Sequence, residues 1–233
     1  MNLYFLVEGF QTEKRVYSSW IEQVFPTLNK AETLGDVRHN TYRLFSIEGN
    51  TDRVDNIQRA LAEIERHNKN AESEGRGIFD HLFVCLDAED APLALKISQV
   101  ENLISGRAVP TLCHPIVHNC CLETWFLGNK AMMKRRNLQN EQLKIWKEFY
   151  DVSTDCPELM GKPDDYRRSK AWFHHDYLKV MLKERNVNYS KKSPNEVRQK
   201  TYFQALIDRY ESTGHLDSFG RLINLWRSIG GNL

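Results

Sequence analysis

Leu3-Tyr4-Phe5-Leu6-Val7-Glu8-Gly9 is the stretch on which the fold turns. Five apolar residues in succession, closed by a carboxylate and a glycine, fit a strand covered on both faces, as in a parallel sheet under crossover helices. Moving outward, Thr12 opens a helix in which Val16, Trp20, Ile21 and Val24 share one face. Residues 42–47 give a second strand, and Asn50 or Thr51 caps a helix carrying Val54, Ile57, Leu61 and Ile64. After a polar, glycine-containing loop at 68–77, a third strand at 81–86 ends in Asp87-Ala88-Glu89-Asp90. Asp90 is placed to cap a third helix, with Pro92 in its first turn and Ile97, Val100, Leu103 and Ile104 on its buried face. A fourth strand at 112–117 leads into a helix holding Leu122, Trp125 and Phe126.

Strands alternating with helices predict an α/β fold with a mainly parallel central sheet, whose ligands bind beyond the carboxyl ends of the strands. Glu8 follows the first strand, Asp87 the third, and Asn119 with Glu123 the fourth. Clustered carboxylates raise one another's pKa, so a cation usually accompanies them. Hard oxygen ligands suit Mg2+ or Mn2+. Taken singly, Asp90 reads as a cap, Glu13 as a favourable charge at its helix start, and Glu8 as the start of a loop. Acids at three strand ends together favour a site.

Beyond residue 128 the pattern becomes helical, with segments at 142–150 and 172–183 and two more near the end, through Phe203 to Tyr210 and Phe219 to Trp226. The expected division is 1–128 for the α/β domain and 129–233 for a helical extension. The apolar C-terminal helices fit packing within the chain or across a homodimer. Lys134-Arg135-Arg136 and Arg167-Arg168 with Lys170 are basic clusters suited to phosphate contacts, or else solvated faces. Tyr166 and Trp172 beside them suit either base stacking or a helical core.

The 233 residues carry a net charge of +1, so a nucleic-acid surface has to come from local clustering. No apolar run is long enough to span a bilayer, and the first residues lack the pattern of a secretory signal. Five cysteines without a framework spacing suggest free thiols, and the expected location is the cytoplasm. The absence of a CxxC pair argues against structural zinc, and the adjacent His174 and His175 have no suitably spaced partner.

Three motifs, each at a strand end, carry a family resemblance. Residues 6–14, Leu-Val-Glu-Gly-Phe-Gln-Thr-Glu-Lys, resemble the first motif of TOPRIM domains, and the spacing of Glu8 and Glu13 resembles the RloB-like branch. Residues 84–90, Val-Cys-Leu-Asp-Ala-Glu-Asp, resemble the second motif, Asp-x-Asp, with Glu89 where the family has its second Asp. Residues 119–127 resemble the "Asn-Pro-Cys-Phe-Glu-x-Trp-Leu-Leu" segment of RloB-like proteins. The resemblance implies a Rossmann-like TOPRIM domain and, by kinship with the overcoming-lysogenization-defect nucleases, metal-dependent cleavage of DNA or of RNA such as tRNA. It makes Glu8 a metal ligand or acid/base and Asp87 and Glu89 metal ligands. Glu13 would complete a second metal site, and Glu123 would ligate metal or orient a ligand. Gly9 would let the backbone approach phosphate. Lys191 is either a positive charge for the transition state or a solvated member of the Lys191-Lys192 pair. RloB-like proteins resemble anti-phage components paired with an ABC-type ATPase. This chain has no Walker motif, so nucleotide control would come from such a partner. The alternatives are a non-catalytic TOPRIM scaffold, favoured by the Glu89 departure, and a metal-dependent hydrolase of smaller phosphates.

Overall fold

The computed structural model of the chain describes residues 1–47, 53–105, 111–133 and 136–233. Asn50 and Thr51, expected to cap the second helix, and Lys134 and Arg135 of the first basic cluster lie outside the described residues. The chain forms two compact units, one of residues 1–86, 94–117 and 232, the other of 87–93, 118–231 and 233.

Five strands, β1 (Asn2–Val7), β2 (Asn29–Lys30), β3 (Thr41–Ser46), β4 (His81–Asp87) and β5 (Leu112–His118), make one sheet in the order β2-β3-β1-β4-β5. β1 runs parallel to β3 and to β4, and β2 runs parallel to β3. Parallel neighbours need crossovers, supplied by α1 (Thr12–Val24), α2 (Arg53–Ala71) and α3 (Leu93–Ile104). The strand order reverses at β1, and open α/β sheets place ligands beyond the carboxyl ends of strands at such a reversal.

All six residues of β1 are buried, as a doubly covered strand demands. Alternation divides them between two layers. Tyr4 and Leu6 join Leu82, Val84 and Ile57, Leu61 and Ile64 of α2 in one cluster. Phe5 turns the other way, stacking on Phe83 at 4.4 Å between centroids, with Tyr17 of α1 at 6.1 Å. Each such side chain contributes roughly 1.5–3 kcal/mol through burial. β2 escaped the sequence reading because its two residues are polar and exposed, and so carry no periodic signal.

The third helix departs from expectation. It begins at Leu93, past both Asp90 and Pro92, because the Ala91 N–H bonds the Ala88 carbonyl and holds the preceding residues in a turn. Only Val100 of its four expected core residues is fully buried, and Ile97, Leu103 and Ile104 are half-buried. Leu103 and Ile104 still pack against the core cluster, and a cleft of about 490 Å³ between α2 and α3 is lined by Val54, Ile57, Val100 and Leu103.

The second unit contains α4 (Leu122–Phe126), α5 (Glu141–Phe149), α6 (Lys170–Lys183), α7 (Lys200–Thr213) and α8 (Asp217–Ser228). Trp125 is its buried centre; its indole donates to Ser218 Oγ at 2.7 Å and its ring meets the Phe219 edge at 5.3 Å. Trp146 of α5 packs against Phe173 and Tyr177 of α6. Arg209, only 1% exposed, donates to the Ser153 and Asp155 carbonyls and to His215 Nδ1, so its buried charge is solvated by protein. Gly220 admits the Tyr210 ring where any side chain would collide. Among the described residues, no helix is long and apolar enough to cross a membrane.

Candidate functional site

Four of the singled-out residues, Asp87, Glu89, Glu123 and Lys191, line one pocket of the second unit, about 160 Å³ in volume. Cys121, Ser169, Ala171, Trp172 and His175 complete its wall. Asp87 is the last residue of β4. Its Oδ1 accepts a hydrogen bond from His118 Nδ1 at 2.7 Å, and His118, fully buried, sets its ring edge-on to Trp125 at 4.5 Å. His118 therefore fixes the orientation of Asp87 from behind and has no route to solvent of its own.

Glu89 is exposed and left-handed at φ 56°, and Cys120 is left-handed at φ 61°. The Glu89 N–H bonds the Cys120 carbonyl at 2.7 Å, which ties the two unusual residues together. Such backbone costs about 1–3 kcal/mol per residue and persists only where its surroundings enforce it. It carries the Glu89 carboxylate to the pocket wall.

Glu123, in the first turn of α4, is 2% exposed. Its Oε1 accepts from the Tyr189 hydroxyl at 3.2 Å, with Lys191 Nζ at 3.6 Å and His175 Nδ1 at 3.5 Å. The His175 contact lacks hydrogen-bond geometry, and burial holds the imidazole below its ordinary pKa. Trp172 stands at the rim, 42% exposed, with the Arg168 guanidinium over its ring at 3.4 Å.

Behind this pocket lies a second cluster, in which Cys120, Cys121 and His174 bring their ligand atoms within 4.8 Å. His174 is saturated. Its Nε2 faces the Met160 carbonyl at 3.0 Å and must carry the proton, which leaves Nδ1 to accept from the Thr124 hydroxyl at 2.7 Å. Burial pushes its pKa down to about 4. A hydrogen bond with Cys120, together with burial, holds the Cys121 thiol well above its usual value. A protonated thiol and an imidazole with both nitrogens engaged make a structural knot.

Glu8 and Glu13 belong to the first unit. Glu8 follows β1, its N–H bonding the Cys85 carbonyl at 3.1 Å, and its carboxylate pairs with Arg53 at the start of α2. Glu13, buried in the first turn of α1, lies over Gly9, where a side chain at position 9 would strike its carboxylate. That contact is a packing reason for the glycine, distinct from approach to phosphate. Arg136 and Arg167 are exposed. Tyr166 is half-buried, its hydroxyl donating to Asp176 at 2.6 Å and its ring against Phe173.

Comparison with protein-family models, curated proteins and solved structures returned no match.

His118 and Arg53 were not singled out by sequence reasoning, and His175 was weighed as a metal ligand and set aside. Tyr189 lies 66 residues from the carboxylate it serves and His118 lies 31 from Asp87, so no local spacing announces either. Arg53 alone had a usable signal, a cation at the start of the helix that follows the second strand.

Proposed function

We propose that this protein is a divalent-metal-dependent nuclease. The observation that carries the reading is the convergence of Asp87, Glu89 and Glu123, from a strand end, a strained turn and a short helix, on one small pocket with Lys191. Three carboxylates against one ammonium leave two negative charges, which matches a divalent cation, and the donor set is the hard oxygen type that Mg2+ or Mn2+ takes. Asp87, Glu89 and Glu123 would hold it. A bound ion of this kind activates water and stabilises the leaving oxygen of a phosphodiester.

The chain's own residues supply the remainder. His118 keeps Asp87 in one orientation, and the Tyr189 hydroxyl does the same for Glu123. Lys191, its side chain half exposed, supplies positive charge for a phosphate at the pocket mouth. Trp172 and Arg168 offer a stacking face and a phosphate contact at the rim. The TOPRIM resemblance alone makes Glu8, which belongs to the first unit, a metal ligand or acid/base. The RloB-like resemblance supplies the ABC-type ATPase partner and the anti-phage setting.

The test is incubation of labelled plasmid, single-stranded DNA and total tRNA with Mg2+ or Mn2+, with and without a co-expressed ATPase partner. Wild type should cut at least one polymer, and Asp87→Asn, Glu123→Gln and Glu8→Gln should each lose at least about a hundredfold in rate. If no polymer is cut while the variants remain folded, the chain acts as a scaffold and the nuclease reading falls.

A further inference from the structure

His174 and His175 are neighbours on α6, and only the first has its ring nitrogens accounted for. His175 is 9% exposed, and its Nδ1 is fully shielded without a hydrogen-bond partner. A buried polar atom left in this way costs about 1–3 kcal/mol. Native proteins keep few of them, commonly where a ligand completes the set. The atom lies 3.5 Å from Glu123 Oε1, and both residues line the pocket. Two donor atoms each about 2.1 Å from one ion lie roughly 3.0–3.5 Å apart in octahedral or tetrahedral geometry, so this pair already has the span of two ligands on one metal.

The neighbours hold the ring in that pose. Trp172, one turn earlier on α6, meets it edge-to-face at 5.4 Å, and Tyr189 lies against it at 5.8 Å. Mg2+ strongly prefers oxygen, whereas imidazole is a good ligand for first-row transition ions.

We infer that His175 Nδ1 is a nitrogen ligand to the metal bound by Asp87, Glu89 and Glu123, making the centre selective for a first-row transition ion such as Mn2+ over Mg2+. The inference rests on the metal reading given above, and the experiment separates the two. Mn2+ and Mg2+ binding are measured by calorimetry on the full chain as wild type, His175→Ala and Asp87→Asn. Pulsed electron paramagnetic resonance of the Mn2+-loaded protein reports nitrogen coordination directly.

The expected result is Mn2+ binding at least tenfold tighter than Mg2+ in wild type, with a histidine nitrogen coupling in the Mn2+ spectrum. His175→Ala should lose that coupling and about tenfold in Mn2+ affinity, while Mg2+ affinity stays within about twofold. If wild type binds Mn2+ without nitrogen coupling, and Asp87→Asn abolishes binding, the carboxylate site stands and the role of His175 is overturned. If wild type binds neither ion, the metal reading and this inference fall together. The wild-type spectrum decides the matter even where His175→Ala does not fold.

Discussion

One step along α6 separates two clusters built from similar residues that differ in how far their polar atoms are satisfied. The knot of Cys120, Cys121 and His174 is closed: Cys121 N–H bonds Thr124 Oγ1, Thr124 donates to His174, and His174 donates to Met160. The pocket of Asp87, Glu123 and His175 is open: its carboxylates are oriented from behind by His118 and Tyr189, while His175 Nδ1 has no hydrogen-bond partner. The number of metal-ligating side chains does not distinguish the two. A cysteine-rich trio would pass for a zinc site by composition, yet its donors are used up within the protein. Completeness of hydrogen bonding is the better guide to which cluster is closed within the protein and which keeps an unused donor.

The largest effect should come from exchanging the neighbours. His174→Ala leaves the Thr124 hydroxyl and Met160 carbonyl without their partner and opens a buried void, for a loss of about 3 kcal/mol in urea unfolding. His175→Ala without metal should cost less, since it breaks no hydrogen bond of Nδ1 and loses only ring packing against Trp172 and Tyr189. Equal losses in the two variants would erase the distinction between knot and pocket.

Next in size is the support behind Asp87. His118→Asn should lower Mn2+ affinity about 10–100-fold, the usual consequence of removing a partner that orients a ligand. Calorimetry on the folded variant checks this, and an unchanged affinity would mean that Asp87 needs no orienting partner.

Acid should also act on the knot. His174 titrates near 4 when folded and near 6.5 when unfolded, so between those values the unfolded chain binds the extra proton. Its contribution is fully present above pH 6.5 and is lost as pH falls toward 4, with a slope of at most about 1.4 kcal/mol per pH unit. Unfolding measured from pH 7 to 4 should show that slope flattened in His174→Gln relative to wild type. Parallel curves would mean that the imidazole is not held neutral.

The sequence carried the parts of this picture that repeat locally. Leu3 to Val7 announced a doubly covered strand, and the rule that ligands gather at strand ends picked out Asp87 and Glu123 before any contact was known. What it could not carry were relations at long range. Adjacent histidines look alike in sequence, and only the arrival of Met160 and Thr124 on one side, and of Glu123 on the other, separates them. The face that α3 turns to the core was legible, with Val100 in the core and Leu103 and Ile104 packed against it. Its depth was not, because periodicity reports which residues face inward and not how fully they are covered.

The smallest predicted effect concerns the rim, and it bears on what the open pocket is open to. Trp172 is 42% exposed, but Arg168 already covers one face at 3.4 Å and is itself 3.8 Å from Asp176. A base could stack only on the remaining face, so the gain should sit at the low end of the usual range, about 1 kcal/mol or roughly fivefold in affinity. In an Asp87→Asn background, fluorescence anisotropy should show Trp172→Ala weakening single-stranded oligonucleotides by that factor and duplexes by less. Arg168→Ala should instead weaken both and reduce the salt dependence by about one ion. If Trp172→Ala weakens duplex and single strand alike, the ring serves to hold Arg168 in place, and the rim reads backbone charge without contacting bases.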